Sequence, residues 1–375
     1  MGLLLSLLAL VALAYHAFAA RALARHMRRA PAPAGTQPSV TILKPLYGAE
    51  PRLADNLASF LEQDYAGPVQ LMLATNTADD PAVEAARAVM VRYPDSDITL
   101  FTGPRLSGAN GKMGNCAAAL PHARHGIIIL SDSDMVVGRD YLARITAVLE
   151  QPEAGAVSCL YVGRGDAGFW SRLSAAILST ITLPNMAVGL RTGMAQPCMG
   201  STIALRHETL EAIGGFAAFR DVLADDHAIG AAVRGLGLNV VIPPMVLVHA
   251  GAEASLGQLW RQHLRWAVTV RDLAGAGHYG SLITHALPLA LACATVAPRA
   301  GGLLVAATLA LRMAMVTRVN RLAPQARTAP WLVPLADLFA FAAFCGSLFA
   351  RRIDWRGETL TMGSDGSLTP EPKRP

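Results

Sequence analysis

Lysine is nearly missing from this chain. Of 32 basic residues only Lys44, Lys112 and Lys373 are lysines, and the rest are arginine. Against that drift, the two lysines in motif-like segments, Lys44 and Lys112, read as retained for their chemistry. Charge is scarce as well: Asp, Glu, Lys and Arg make up 16% of 375 residues, against ~25% in soluble domains. With 53% hydrophobic residues and a mean hydropathy of +0.36, the chain has too little polar surface to wet a wholly soluble protein, and disorder is excluded. The five cysteines (116, 159, 198, 293 and 345) are scattered and form no CxxC pair. That excludes a disulfide framework and a zinc site and leaves small buried apolar residues. Aromatics are 6%, with no basic stripe interleaved among them, so the net charge of +5 points to a membrane surface and no nucleic acid partner is expected. A GxSxG elbow and Cys/His nucleophile signatures are absent.

Long apolar runs are present. Residues 2–20 carry one ionisable side chain, His16, and are long enough to cross a ~30 Å hydrocarbon layer as a helix. Ala17-Phe18-Ala19 resembles a cleavage site, but no basic residue precedes the run, whereas Arg21, Arg25, Arg28 and Arg29 follow it and no acid appears before Glu50. The positive-inside rule therefore predicts an uncleaved anchor over 1–21, a basic, proline-containing linker over 22–37, and a cytoplasmic domain after it. Further apolar stretches at about 282–297, 300–317 and 330–350 predict membrane segments over 281–350, followed by a polar tail over 351–375. Arg312 and Asp337 inside them are expected to serve helix packing.

Between 38 and 280 the pattern changes to short apolar runs alternating with helical periods. VTILKP at 40, VQLMLA at 69, ITLF at 98 and GIIIL at 126 predict buried strands, and the segments after Pro51 and Pro81 predict helices. Repeated βα units make the domain α/β with a Rossmann-like, mostly parallel sheet, whose ligands gather at the carboxyl ends of strands.

The chemistry-bearing residues do follow apolar runs. Asp132 and Asp134, in Ser131-Asp132-Ser133-Asp134 after GIIIL, can supply hard oxygen ligands to Mg²⁺ or Mn²⁺, or merely form a polar turn. Asp225-Asp226 opens a helical pattern, although capping needs one carboxylate at most. Gln262, Arg265 and Trp266 form a Q-x-x-R-W series suited to a phosphate or to a membrane-resting helix. Gly108–Asn115 is not a P-loop, because Met113 replaces the required hydroxyl residue, but a flexible loop could present Lys112 and Asn115 to a nucleotide. His249, in PPMVLVH, is a further metal ligand or a structural histidine. The stretch from Gly168 to Leu190 reads as an interfacial helix forming a lipid slot, or as a core helix.

In order, LKPLYGAE, NTADDPA, GKMGN, LSDSD, LADD and QHLRW resemble the motif series of family 2 and family 21 glycosyltransferases with the GT-A fold. The ceramide glucosyltransferase branch is the nearer likeness, and the bacterial hopanoid-biosynthesis glycosyltransferases are nearer still. The resemblance covers almost the whole chain, least after Arg351. It implies a GT-A catalytic domain with N-terminal and C-terminal transmembrane helices, in the bacterial inner membrane with the catalytic domain facing the cytoplasm. By the same resemblance Asp79 or Asp80 lies near the nucleotide base, and Lys112 and Asn115 near the uridine or ribose. Asp132 and Asp134 hold a divalent metal, Asp226 is the general base, and Gln262, Arg265 and Trp266 serve the diphosphate and acceptor side. The pair 132 and 134 departs from the single Asp usual in ceramide enzymes.

The implied reaction is inverting transfer from a UDP-sugar donor to a membrane lipid hydroxyl, with N-acetylglucosamine passing to a hopanoid polyol such as bacteriohopanetetrol. Glucosylation of ceramide is the alternative, and a non-catalytic scaffold or transporter is a remoter one. A transporter would place ionisable residues and helix breaks in paired membrane halves, which this chain does not do.

Overall fold

The computed structural model describes residues 2–350 and, beyond them, the backbone of three short strands. The chain forms two compact units. A sheet unit comprises Arg29–Leu160 and Gln196–Ala250, and a helical unit comprises Met1–Arg28, Tyr161–Ala195 and Gly251–Pro375. Residues 161–195 and 251–280, inside the 38–280 segment by sequence, thus group with the terminal helices.

In the sheet unit, strands β1 (Val40–Pro45), β2 (Val69–Thr75), β3 (Asp97–Thr102) and β4 (Ile127–Leu130) run parallel in the order β3-β2-β1-β4. The two-residue β5 (Met135–Val136) follows. Beyond β4 the seven-stranded sheet continues through three strands in the order β8-β6-β9: β6 (Ala154–Ser158), β8 (Ile203–Arg206) and β9 (Asn239–Val241). The chain leaves the unit through β7 (Leu160–Gly165). Strand β8 lies antiparallel to both β4 and β6, so the sheet is mixed but mostly parallel. Strands β1 and β6 are buried from end to end and β2 at all but its first residue, as a sheet covered on both faces requires.

Polar residues within these strands are satisfied across the sheet. Thr41 Oγ1 donates to Gln70 Oε1 (2.8 Å), and Gln70 Nε2 donates to Thr99 Oγ1 (3.0 Å), linking β1, β2 and β3. Helices Leu53–Ala58 and Ala82–Arg92 follow β1 and β2, each two residues or fewer after its proline. One core cluster joins Leu43, Met72, Ile128, Leu130, Phe216 and Val233, with Met113 and Cys116 packed into it. Strand β10 (Val246–Gly251) pairs antiparallel with β5 and brings His249 opposite Met135.

The helical unit contains three helices long and apolar enough to cross a membrane among the described residues: Gly2–Met27, the broken helix Phe169–Thr192, and Pro298–Leu322. Ala276–Thr284 and Ala286–Val296 form a pair bent by 69°, and Leu332–Ser347 is a shorter apolar helix. Phe169–Thr192 differs from the other two: 78% of its apolar window is buried, against 28% and 33%. Leu173, Ala176, Ile177 and Ile181 pack on Leu259, Leu332 and Ala336, so this segment is a core helix and does not lie on a surface. Midway, at Leu178–Thr182, it loosens into a π-turn. Of the polar tail, residues 353–355, 358–362 and 368–370 form three antiparallel strands, β11 to β13. The remainder of 351–375 lies outside the described residues.

Candidate active site

The site is built from the carboxyl ends of β1, β2 and β4, where open α/β sheets gather ligands. Directly after β4, the Ser131-Asp132 backbone is pinned from both neighbouring strands. The Ser131 amide donates to Leu43 O (3.1 Å), the Asp132 amide to Gly200 O (3.2 Å), and Ser131 Oγ to Ser201 O (2.9 Å). Lys44, fully buried at the end of β1, donates from Nζ to Asp132 O (2.7 Å) and sits 3.5 Å from the centre of the Phe60 ring. Burial pulls this ammonium down to about 7, against the pull of Asp134, Asp132 and Glu50.

Lys112 joins two acidic motifs that are far apart in sequence. Its Nζ lies 2.7 Å from Asp132 Oδ1 and 3.0 Å from Asp225 Oδ2. Burial disfavours the ammonium, but these carboxylates outweigh it and hold Lys112 well above its ordinary value. The flexible loop expected around it is instead the first turn of helix Gly111–Ala119. Asn110 caps that helix by accepting from the Met113 amide (3.1 Å), while its Nδ2 donates to Val222 O (2.7 Å) and Asp225 Oδ1 (3.3 Å). A Cβ on Gly111 would meet the Arg105 guanidinium at 1.9 Å, so a side chain there would have to displace the exposed Arg105. Asn115 is buried, donates to Ala74 O at the end of β2 (2.7 Å), and leaves its Oδ1 buried without a hydrogen bond.

Gly200 is the hinge of the arrangement. Its carbonyl receives the Asp132 amide, and its own amide donates to Asp226 Oδ2 (3.1 Å), so the backbone of one residue links Asp132 and Asp226. A Cβ at this position would meet Asp132 Oδ2 at 2.6 Å and Lys112 Nζ at 3.2 Å. The helix Asp225–Gly235 begins at Ala224, which provides no side-chain cap. Asp225 turns to Lys112, and Asp226 accepts the His227 amide through Oδ1 (2.7 Å). Burial and the adjacent Asp225 raise the Asp226 carboxyl to about 6, with Lys112 and two backbone amides opposing.

On the other side of the motif, Asp134 Oδ2 meets His249 Nε2 at 3.1 Å, and the Ala250 amide donates to Asp134 O (2.7 Å). The histidine expected at a strand end therefore reaches the acidic motif from within β10. Glu50 accepts from Ser133 Oγ (2.8 Å); burial, reinforced by Asp134, raises its carboxyl to about 7. Asp134 Oδ1 and Glu50 Oε2 are both buried without a hydrogen bond. Open, buried carboxylate oxygens beside further acids suit a hard divalent cation, which Asp134, with Asp132 two residues before it, could hold. Among the described residues no three acidic, histidine or cysteine ligands converge, so substrate oxygens would have to complete the shell.

The remaining expected residues are placed as follows. Asp80 Oδ1 accepts the Gly48 (2.8 Å) and Ala82 (2.9 Å) amides and so organises the loop after β2, whereas Asp79 is exposed. Gln262, Arg265 and Trp266 belong to the helical unit, on helix Leu256–Ala274, where Arg265 Nη2 donates to Gln262 Oε1 (3.1 Å). Asn110, Glu50 and Gly200 were not singled out by the sequence reading. Lys44 was, and its burial beside Asp132 accounts for a lysine in an arginine-rich chain.

A mostly parallel sheet with an acidic cluster at its carboxyl edge, in a chain that also carries apolar helices, defines the GT-A-like class. The chain matches the family model for glycosyl transferase family 21 over residues 4–368, and it belongs to that family. It is similar to ceramide glucosyltransferase 3 of Caenorhabditis elegans, 26% identical over 61% of this chain and 50% of that protein. It is also similar to an N-acetylglucosaminyltransferase of Mesorhizobium japonicum, 25% identical over 63% of this chain and 57% of the relative. The chain thus spans about half the length of the curated relatives it matches. Among solved structures, the mannosyltransferase from Pyrobaculum calidifontis in complex with GDP-Man and Mn²⁺ superposes with a TM-score of 0.52. It is 25% identical, over 92% of this chain and 99% of that one.

Proposed function

We propose that this protein transfers a sugar, with inversion, from a UDP-sugar to the hydroxyl of a membrane lipid, and that the sugar is N-acetylglucosamine and the lipid a hopanoid polyol. The observation that carries the reading is the single residue, Gly200, whose backbone amide and carbonyl tie Asp226 to Asp132, with Lys112 held beside it. Asp226 takes the proton from the attacking lipid hydroxyl, and a general base is typically worth ~10²- to 10⁴-fold in rate. Lys112 stays charged and holds Asp132 and Asp225 in position. When bound, a divalent cation held by Asp132 and Asp134 would offset the charge that builds on the departing diphosphate. For Asp79, Asp80 and Asn115 at the nucleoside, and for Gln262, Arg265 and Trp266 at the diphosphate and acceptor, the reading rests on their motifs.

Relatives named as N-acetylglucosaminyltransferases support the choice of sugar, and the motif resemblance over most of the chain supports the acceptor. Ceramide glucosylation is the second reading, favoured by the relatives named for it. Arginines after the first apolar helix, with no acid before Glu50, support a site facing the cytoplasm of a bacterial cell, in its inner membrane. The test is to incubate the purified protein and Mg²⁺ or Mn²⁺ with several UDP-sugars and extracted bacterial lipids, then weigh the lipid fraction by mass spectrometry. A gain of one N-acetylhexosamine on a hopanoid supports the proposal. A hexose on ceramide selects the second reading, and no mass gain with any donor overturns both.

A further inference from the structure

A second polar feature lies in the helical unit, at the carboxyl end of the candidate span Pro298–Leu322. Between Asp272 and Asp337 the sequence contains no acidic residue but five arginines. One of them, Arg312, is ion-paired with Asp337. After Leu322 the chain folds back, and Asn320 fastens the loop to the last helical turn: its Nδ2 donates to Thr328 O (2.9 Å) and its Oδ1 accepts the Thr328 amide (2.8 Å). Between loop and helix opens a shallow cleft of about 400 Å³, lined by Thr317, Asn320, Arg321, Pro324 and Arg327. Arg321 and Arg327 are exposed, and among the described residues neither has a hydrogen bond or an ion pair within the protein.

Two guanidinium groups facing one cleft without a carboxylate repel each other unless an anion lies between them. Their planar forks match a phosphate better than a point charge would. The depth of the cleft narrows the choice of phosphate. It sits at the end of a helix of bilayer length, and Trp331, which follows Arg327 closely in the chain, is 60% exposed and stacked on Phe169 (ring centroids 6.2 Å apart, 19° between planes). Exposed aromatic rings next to arginine are the side chains that settle at headgroup level. A phosphodiester anchored in the bilayer is held at that depth, whereas a free phosphate is not.

We propose that this cleft binds the headgroup phosphate of an anionic phospholipid. The proposal rests on Pro298–Leu322 spanning the membrane and is independent of the transfer reaction. The test uses the full chain in mild detergent, titrated with phosphatidylglycerol, phosphatidylcholine or inorganic phosphate and read by native mass spectrometry. It compares wild type with the double variant Arg321→Gln/Arg327→Gln and with Arg87→Gln, an exposed position in the sheet unit, as control. Wild type and control should retain phosphatidylglycerol at least about tenfold more tightly than phosphatidylcholine, and the double variant should lose that preference. Thermal unfolding close to wild type establishes that the double variant is folded; should it unfold, Arg327→Gln alone, altering only the loop, is expected to reduce the preference. Equal retention of both lipids by wild type, undiminished preference in the folded variants, or displacement of the lipid by millimolar inorganic phosphate would each overturn the assignment.

Discussion

The two units bury charge in opposite ways. In the helical unit Arg312 is completely enclosed, and its guanidinium is saturated: Nε donates to Asp337 Oδ2 (3.0 Å), Nη2 to Asp337 Oδ1 and to Thr180 Oγ1 (3.1 Å), and Nη1 to Thr180 O. The receiving carbonyl lies in the π-turn of Phe169–Thr192, where the ordinary helical bonding is interrupted. In the sheet unit the acids are only partly paired, with oxygens of Asp134 and Glu50 left open and Asp226 raised towards neutrality. A closed network holds helices together, whereas an open one keeps binding capacity for something not yet bound.

That contrast is broken most directly by Asp226→Asn. If the sheet cluster exists for chemistry, the variant folds with a thermal midpoint near wild type and loses ~10²- to 10⁴-fold in turnover, measured as lipid product formed. Turnover like wild type would remove Asp226 from the mechanism. Arg312→Met should behave in the reverse way, costing ~3–5 kcal/mol of stability because Asp337 is left buried without its partner. The double replacement Arg312→Met/Asp337→Leu should recover most of that loss in a denaturation experiment in detergent. If the double variant is as unstable as the single one, the pair does more than join helices. Gly200→Ala is smaller again. The new methyl must push on Asp132 where Lys112 holds it, so activity should fall by up to about 10²-fold with little change in melting. An unchanged rate would mean that Asp132 has room to move.

How far the sequence foretold each unit follows the same division. The strands were legible because parallel strands covered on both faces read as unbroken apolar runs: Val40–Pro45, Val69–Thr75 and Ile127–Leu130 stand where the pattern put them. The positions of Asp132, at the end of an apolar run, and of Asp226, at the opening of a helical period, were legible. Gly200 was not, because its importance is a distance between residues about 70 apart, and a glycine carries no side-chain signal. The turn at Gly111–Lys112 looked like a loop because glycines hide a helical period, while the cap that starts the helix, Asn110, points its amide at the distant Val222. Phe169–Thr192 could not be assigned by composition, since a core helix and a surface-seeking one share the same residues, and only the helices packed around it decide.

The finest test of the open cluster is its response to pH. Asp226 must be ionised to accept a proton, and burial beside Asp225 lifts its carboxyl to about 6, above the ordinary carboxylate range. The rate at low substrate should therefore fall about tenfold for each pH unit below 6 and level off above it, on the alkaline side of the Asp226 titration. Asp225→Asn removes one of the two causes that raise Asp226, so the acid limb should move to lower pH even where the maximal rate drops through the loss of the Lys112 partner. A limb that stays at about 6 in this variant would assign the titration to burial alone. A limb that disappears in Asp226→Asn, in whatever activity remains, would fix the group that titrates.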